Sequence, residues 1–415
     1  MDRIRATVRV PGSKSHTQRV LIAAALARGE SYLRNPLVSE DTELLMEALR
    51  ALGADILTTS GDFIVRGVGG KWKAPDKPLF LGNNGTALRF LTAVTSLAEG
   101  AVVLDGTERL RQRPVGPLLE MLRSQGISCR CLREEGFPPV EITGRRLAGG
   151  PVSLEKMDSS QYVSALLLAA PFAERDTEVI LPERAVSLPY LDMTVQVMEH
   201  FGITGIKRAP RRFFVPAGQS YGPRKVLIDG DASSASYFFL AAAIGKGEVV
   251  VENWNPSTRQ GDRKFLDLIA SLGCAVEEGA SSVKVTGGFL KEGDLSFDLG
   301  GMPDMVPTLA VLSAFRSGKT AITGVPHLRI KESNRIEALV NELGKVGVAA
   351  EEREDGLVIT GGRPRGAGIE TYNDHRIAMS FAVAGLATGG MRIRNPGCVG
   401  KSFPGFWDEM EKLAS

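Results

Sequence analysis

The sequence has little that would tie it to a metal, a membrane or a polyanionic surface. Four cysteines in 415 residues, Cys129, Cys131, Cys274 and Cys398, lack both the density of a disulfide scaffold and the spacing of zinc ligands, and they read as free thiols. The four histidines, His16, His200, His327 and His375, are scattered, and no Asp/Glu cluster has calcium-loop spacing, so nothing calls for a metal or another cofactor. An excess of one charge is also missing. Fifty Lys and Arg face 48 Asp and Glu, for a net charge of +2, and no long basic run exists, which argues against a general nucleic-acid or membrane surface. No stretch approaches the ~18 apolar residues of a membrane span. The opening Met1-Asp2-Arg3-Ile4-Arg5 has no apolar signal core, so a cytoplasmic protein is expected. A P-loop is absent too: in Pro11-Gly12-Ser13-Lys14-Ser15, Ser13 and Val8 stand where its two glycines belong.

What is present is a pattern repeated six times at intervals of about seventy residues. A polar cluster runs into an Ala/Leu/Val stretch at Gly12–Ala27, Asn83–Leu97, Asp158–Ala170, Asp231–Ile244, Asp304–Phe315 and Asp374–Leu386. An amphipathic segment follows each one. Five of these pass through a glycine (Gly53, Gly126, Gly202, Gly273, Gly347), and the sixth, Gly405–Leu413, ends the chain. The first helix of each repeat is apolar almost all round and belongs inside a domain, whereas the second has one apolar stripe and belongs outside. Short β-like runs such as Ala101–Leu104, Val249–Glu252 and Gly356–Ile359 lie between them. The unit is α/β and too long for the common solenoid repeats. At this length two domains of three repeats are expected, with the crossover near residue 228, after the irregular basic segment Arg208–Lys225. The expected domains are 13–227, and 1–12 with 228–415.

Ser and Asp at the helix openings are explained by capping alone, and Asp231, Ser233 and Ser234 are read that way first. Capping does not explain Lys14, Arg19, Arg89, Arg113, Lys331, Arg335, Arg376 and Lys401 in or near the same segments. Helix N-termini already favour anions. Adding cations there suits a strongly anionic ligand, since each charge-assisted contact contributes roughly 1.5–3 kcal/mol.

Seven segments in chain order then carry a specific resemblance. They are Pro11-Gly12-Ser13-Lys14-Ser15, Leu81-Gly82-Asn83-Asn84-Gly85-Thr86-Ala87-Leu88-Arg89, Arg113-Pro114-Val115-Gly116, Asp158-Ser159-Ser160-Gln161, Gly230-Asp231-Ala232-Ser233-Ser234-Ala235, Lys331-Glu332-Ser333-Asn334-Arg335 and Asn373-Asp374-His375-Arg376, followed by Lys401-Ser402-Phe403-Pro404-Gly405. Together they resemble the 5-enolpyruvylshikimate-3-phosphate synthase family of enolpyruvyl transferases. The resemblance implies two similar domains, each of three βαβαββ units with inner helices in an inside-out α/β barrel, and an active site in the interdomain cleft. It also implies transfer of the enolpyruvyl group of phosphoenolpyruvate to the 5-hydroxyl of shikimate 3-phosphate, in the pathway to chorismate, by a monomer without cofactor. Carried over position by position, Lys14, Ser15, Arg19, Ser159, Ser160, Gln161, Ser187, Asp304 and Lys331 look like ligands of shikimate 3-phosphate, with Tyr190 beside them. Lys14, Gly85, Arg113, Gln161, Arg335, Arg376 and Lys401 look like ligands of phosphoenolpyruvate. Asp304 is the expected base; Glu332 and Lys14 are candidates for proton transfer.

The chain departs from the usual pattern at Phe90, where proline is common, at Asn84, where a small residue is usual, and at Asn334, where aspartate is common. Phe90 and Asn84 flank Gly85, the position the resemblance assigns to phosphoenolpyruvate and to the inhibitor glyphosate, so altered glyphosate sensitivity is expected. His327 occupies a variable position on the substrate side. Three rival readings share parts of this pattern. A UDP-N-acetylglucosamine enolpyruvyl transferase usually has a reactive cysteine before its Arg-Pro-Val segment, and Gly106–Gln112 has none. A silent anion-binding repeat protein would not need Asp304 and Glu332 beside the basic set. A paralogue acting on another cyclic alcohol would share the motifs.

Overall fold

A computed structural model describes residues 4–144 and 146–414, so Met1, Asp2 and Arg3 of the opening segment lie outside the described residues. The chain divides into two compact units, Lys14–Ile228 and Met1–Ser13 with Asp229–Ser415. Each has its own hydrophobic core.

In each unit the apolar helices are the core. In Lys14–Ile228 they are Lys14–Leu26, Gly85–Val94 and Ser160–Ala169; in the other unit they are Ala232–Gly245, Val306–Ala314 and His375–Thr388. Val20 through Ala27 have no exposed surface, and Leu166, Leu309 and Val383 are as fully enclosed. The amphipathic helices Glu40–Ala51, Gly116–Ser124, Pro189–His200, Phe265–Ser271, Arg335–Lys345 and Phe406–Ala414 keep one buried stripe, such as Leu45, Met46, Ala48 and Leu49. The glycines that follow five of them have φ between +79° and +109°, the left-handed conformation that ends a helix at little cost when Cβ is absent.

The strands form separate open sheets. Three in Lys14–Ile228 have four strands each; the other unit has two of four strands and a two-stranded one, Gly368–Ile369 with Arg392–Ile393. In the sixth repeat the parallel pair has no antiparallel strand beside it among the described residues. Helices rather than strands therefore occupy the interior, and no strand barrel closes among the described residues. In five repeats a parallel pair joins two antiparallel strands; Lys225–Leu227 runs parallel to Arg28–Arg34, and Arg5–Val8 runs parallel to Glu248–Val251. Lys14–Ile228 thus takes one lead strand from its own far end, and the other unit takes one from the segment that precedes Lys14. That exchange sets the unit boundaries at Ser13 and Ile228.

Four repeats dock helix on sheet through the same device. A Cβ at Gly67, Gly144, Gly287 or Gly361 would collide with backbone carbonyls at the C-terminal end of the inner helix, Ala24 and Ala27, Ala98, Ala242, and Ser313 and Arg316 respectively. Three of these glycines donate their N–H to another glycine carbonyl at 2.8–3.0 Å, Gly144 to Gly100, Gly287 to Gly247 and Gly361 to Gly318. Gly287→Ala is expected to destabilise the chain by about 1–3 kcal/mol through overpacking, read as a lowered thermal unfolding midpoint. Gly362→Ala, whose Cβ meets open space, is the control, and equal midpoints for the two variants would remove close approach as the docking constraint.

Candidate active site

In Lys14–Ile228, Lys14, Arg19 and Arg89 lie in the first two turns of inner helices, and Arg113 lies just before the outer helix Gly116–Ser124. Gly85 is the first residue of its helix, and Asn84 caps it by accepting from Thr86 N–H at 3.1 Å and Ala87 N–H at 2.9 Å. The Asn84 side-chain amide also donates to the Asp41 carbonyl at 2.7 Å. Asn84 is therefore a buried cap. A Cβ on Gly85 would strike the guanidinium groups of Arg89 and Arg113, so the glycine lets both charges approach the helix N-terminus. Arg113 donates to the Asn83 carbonyl at 3.1 Å. Arg89 donates to the Gly85 and Pro114 carbonyls at 3.1 and 2.9 Å and to the Gln161 side chain at 3.1 Å. Gln161 in turn donates to Thr86 Oγ1 at 3.0 Å. Ser159 caps the next inner helix by accepting from Gln161 N–H, and Ser160 opens it.

Lys14 begins the first inner helix with its Nζ 3.5 Å from Asp41 Oδ2. One turn on, Arg19 is buried, donating to Ser15 O at 3.0 Å, Thr194 Oγ1 at 2.8 Å, Ser164 Oγ at 3.4 Å and Tyr190 O at 3.3 Å. Its guanidinium stands 5.1 Å from the Phe90 ring centroid and 5.8 Å from that of Tyr190. Burial lowers its pKa to about 10, so it stays cationic at neutral pH. Phe90 thus forms the apolar floor under Arg19. Ser187 is buried and left-handed, with φ of 57°. Lys14, Ser15, Arg19 and Tyr190 make one cluster, and Gly85, Arg89, Arg113 and Gln161 another. Ser187 joins the first cluster through the backbone, its carbonyl accepting from Tyr190 N–H at 3.1 Å.

In the second unit the cations are paired differently. Arg335, 1% exposed, meets three carboxylates: Asp304 at 2.9 Å, Glu332 at 2.8 Å and Asp374 at 2.8 Å. Arg376 takes the other Asp304 oxygen at 2.8 Å and lies 3.4 Å from Tyr237 OH. Asp304 itself lies in a short turn, Pro303–Met305, that leads into an inner helix. Burial alone would raise its proton affinity, but Arg376, Arg335 and Lys331 outweigh burial and hold the carboxyl well below the usual range. Lys401, at the end of the turn Pro396–Lys401, is buried as well. Asn334, the departure before Arg335, caps the outer helix by accepting from Glu337 N–H. Asp231 caps the fourth inner helix through Ser234 N–H at 3.0 Å, as the capping interpretation holds, whereas Ser233 donates to the buried carboxyl of Asp262.

Three acidic residues here went unassigned from sequence. Asp374 orients Arg335 and accepts from Ser333 Oγ at 3.0 Å; its signal was its own motif, read only for Arg376. Asp41 beside Lys14 and Asp262 beside Ser233 had no signal, because tertiary packing alone supplies the contact. Among the described residues no group of three His, Cys, Asp or Glu is placed to hold a metal, and no helix is long and apolar enough to cross a membrane.

The family model for EPSP synthase (3-phosphoshikimate 1-carboxyvinyltransferase) matches residues 1–410. The 3-phosphoshikimate 1-carboxyvinyltransferase of Syntrophobacter fumaroxidans is 43% identical, over 99% of this chain and 98% of the relative. That of Methanoculleus marisnigri is also 43% identical, over 98% and 96%. Among solved structures, the EPSP synthase of Acinetobacter baumannii superposes with a TM-score of 0.81 at 30% identity, covering 99% of this chain and 96% of its own.

His327 is 4% exposed, with neither ring nitrogen hydrogen-bonded. Burial first, then Lys331, lowers its pKa to about 3. The unfolded chain therefore binds a proton at this residue below its ordinary pKa of about 6.5 while the folded chain does not. His327 thus makes the fold less stable as pH falls from about 6.5 toward 3. His327→Phe is expected to flatten that acid limb of thermal stability; an unchanged slope would show that His327 is protonated in the folded chain.

Proposed function

The chain belongs to the EPSP synthase family, and we infer from that premise how its own residues divide the work. It transfers the enolpyruvyl group of phosphoenolpyruvate to the 5-hydroxyl of shikimate 3-phosphate, giving 5-enolpyruvylshikimate 3-phosphate and phosphate in aromatic amino-acid biosynthesis. The reaction is addition followed by elimination. The hydroxyl oxygen bonds to C2 of phosphoenolpyruvate as its proton leaves and the methylene carbon gains one. Phosphate then departs as that carbon returns a proton.

Lys14, Ser15, Arg19, Ser159, Ser160, Gln161, Ser187, Asp304 and Lys331 are assigned to shikimate 3-phosphate. Lys14, Gly85, Arg113, Gln161, Arg335, Arg376 and Lys401 are assigned to phosphoenolpyruvate. Asp304 is the base for the 5-hydroxyl, and Glu332 and Lys14 are the groups for the methylene proton. The observation that carries the assignment of Asp304 is its seat between two guanidinium groups, at 2.9 and 2.8 Å. Without an anionic ligand those charges keep it a weak base. A ligand carboxylate or phosphate that engages Arg335 and Arg376 offsets their field, and the proton affinity of Asp304 rises when the hydroxyl is to be attacked. The cations then stabilise the charge on departing phosphate. The chain is assigned to the cytoplasm and to a monomeric state.

Phosphate release from phosphoenolpyruvate should require shikimate 3-phosphate and fail with UDP-N-acetylglucosamine. The reverse preference would overturn the acceptor assignment. Asp304→Asn is expected to lower kcat by about two to four orders of magnitude. Phosphoenolpyruvate binding, read by calorimetry, should be kept or tightened, because two arginines lose a competing carboxylate. Near-normal turnover would take Asp304 out of the mechanism.

A further inference from the structure

Glu342 is a carboxylate with no exposed surface, in the buried stripe of the outer helix Arg335–Lys345, and none of the seven motifs contains it. The periodicity of that helix assigns an apolar residue to its position. A charge placed there destabilises the fold unless both oxygens are engaged, and both are. Oε1 accepts from Tyr372 OH and from Lys345 Nζ, each at 2.8 Å; Oε2 accepts from Glu370 N–H at 3.0 Å and from Lys345 Nζ at 2.9 Å. The lysine lies on the same helix. The other two donors belong to the segment 370–374, which joins the strand Gly368–Ile369 to the inner helix His375–Thr388 and so delivers Arg376.

That segment follows a strained backbone path. Tyr372 and Asn373 both have φ of 54°, the one place among the described residues where two successive residues other than glycine are left-handed. Asparagine tolerates this conformation and a bulky tyrosine does not, so the surroundings have to hold the turn. Asn395 donates to the Asn373 side chain at 3.0 Å, and Glu342 takes the tyrosine hydroxyl. Directly after the turn stands Asp374, which accepts from Arg376 N–H at 3.0 Å and from Arg335 Nε at 2.8 Å. The outer helix therefore grips the segment twice. Arg335, its first residue, holds Asp374; Glu342, two turns later on the same face, holds Glu370 and Tyr372.

Resting on the assignment of Arg335 and Arg376 to phosphoenolpyruvate, we propose that Glu342 is a positioning residue for that substrate, fixing the left-handed turn so that Arg376 stays in register with Arg335. Glu342 meets no substrate itself. Arg335 and Arg376 open two different helices, and both reach one small anion only while those helices keep their register. Asp374 fixes the joint on one side of the turn and Glu342 on the other. Without Glu342 the turn relaxes toward ordinary backbone conformations, and Arg376, four residues after Tyr372, shifts against Arg335. A carboxylate suits this task because donors converge on both of its oxygens, whereas an amide turns N–H groups toward one of them.

The test is steady-state kinetics of the full chain with both substrates, for Glu342→Gln and Tyr372→Phe. The KM for phosphoenolpyruvate should rise about tenfold or more in Glu342→Gln, as a charge-assisted bond is lost and the groups it places shift, and by a smaller factor in Tyr372→Phe. The KM for shikimate 3-phosphate should change far less. Equal rises for both substrates, or a fall in kcat alone, overturn the proposal. The double variant should fall short of the product of the two single increases, because both remove the same bond; the full product also overturns it. Gly287→Ala, strained elsewhere in the same unit, is the control for lost stability. Its KM for phosphoenolpyruvate should be normal, and a rise equal to that of Glu342→Gln would reduce the effect to instability and end the proposal. Where Glu342→Gln does not fold, Tyr372→Phe decides alone, since that residue is 37% exposed and keeps its ring: an unchanged KM overturns the proposal. Arg376→Lys checks the premise. A normal KM for phosphoenolpyruvate there removes the assignment of Arg376, and the proposal with it; a rise there beside normal values for Glu342→Gln and Tyr372→Phe removes the proposal alone.

Discussion

A helix that is apolar on every side has to be enclosed on every side, and each unit of this chain encloses three. The rest follows from that requirement. Sheets and amphipathic helices must wrap the inner helices, so the repeat needs a second helix and several strands. The C-terminal ends of four inner helices are pressed against strands so closely that only glycine fits at Gly67, Gly144, Gly287 and Gly361. The N-terminal ends are where the polar residues lie. Their N–H groups need acceptors, which Asn84, Ser159, Asp231 and Asp374 supply, and their partial positive charge favours anions. Packing and anion affinity are two results of one arrangement.

The cations at these N-termini are held in two ways. In Lys14–Ile228 the arginines rest mainly on neutral partners. Arg89 is held by the Gly85 and Pro114 carbonyls and Gln161, Arg113 by the Asn83 carbonyl, and Arg19 by Ser15 O, Tyr190 O and hydroxyl groups. Carbonyls, hydroxyls and an amide fix these guanidinium groups at the helix openings. In the other unit Arg335 and Arg376 are held by Asp304, Glu332 and Asp374. There the charges offset one another, and removing one partner of such a buried pair costs about 3–5 kcal/mol. What the second arrangement adds is control of proton affinity. The same arginines hold Asp304 well below its usual proton affinity, and in the proposed mechanism an anion that competes for them releases it.

Much of this was legible because it follows from periodicity. The inner helices, their outer partners and the five terminating glycines occupy the positions that the apolar pattern assigns. Strands such as Ala101–Asp105 and Gly356–Thr360 lie within a residue of the runs read from sequence. Asp304 and the basic residues carried enough local context to be singled out. Asp262 did not, because its partner Ser233 is 29 positions away. The pairing of Lys14 with Asp41 was hidden for the same reason. Exchange of the lead strands was invisible too: Arg5–Val8 and Lys225–Leu227 look alike as short edges, and only their partners show which sheet each completes.

The departures at Asn84 and Phe90 show how local differences are absorbed. Asn84 is a strong cap in its own right, and its amide also anchors the Asp41 carbonyl, so it links the opening of the second inner helix to the acidic partner of Lys14. Phe90 keeps the backbone N–H that a proline lacks and offers its ring to Arg19. A buried guanidinium needs partners on all sides; hydroxyls and carbonyls occupy its edges, and an aromatic face is the natural cover for its plane. Both substitutions therefore act on the placement of a cation, one through Asp41 on Lys14 and one directly on Arg19.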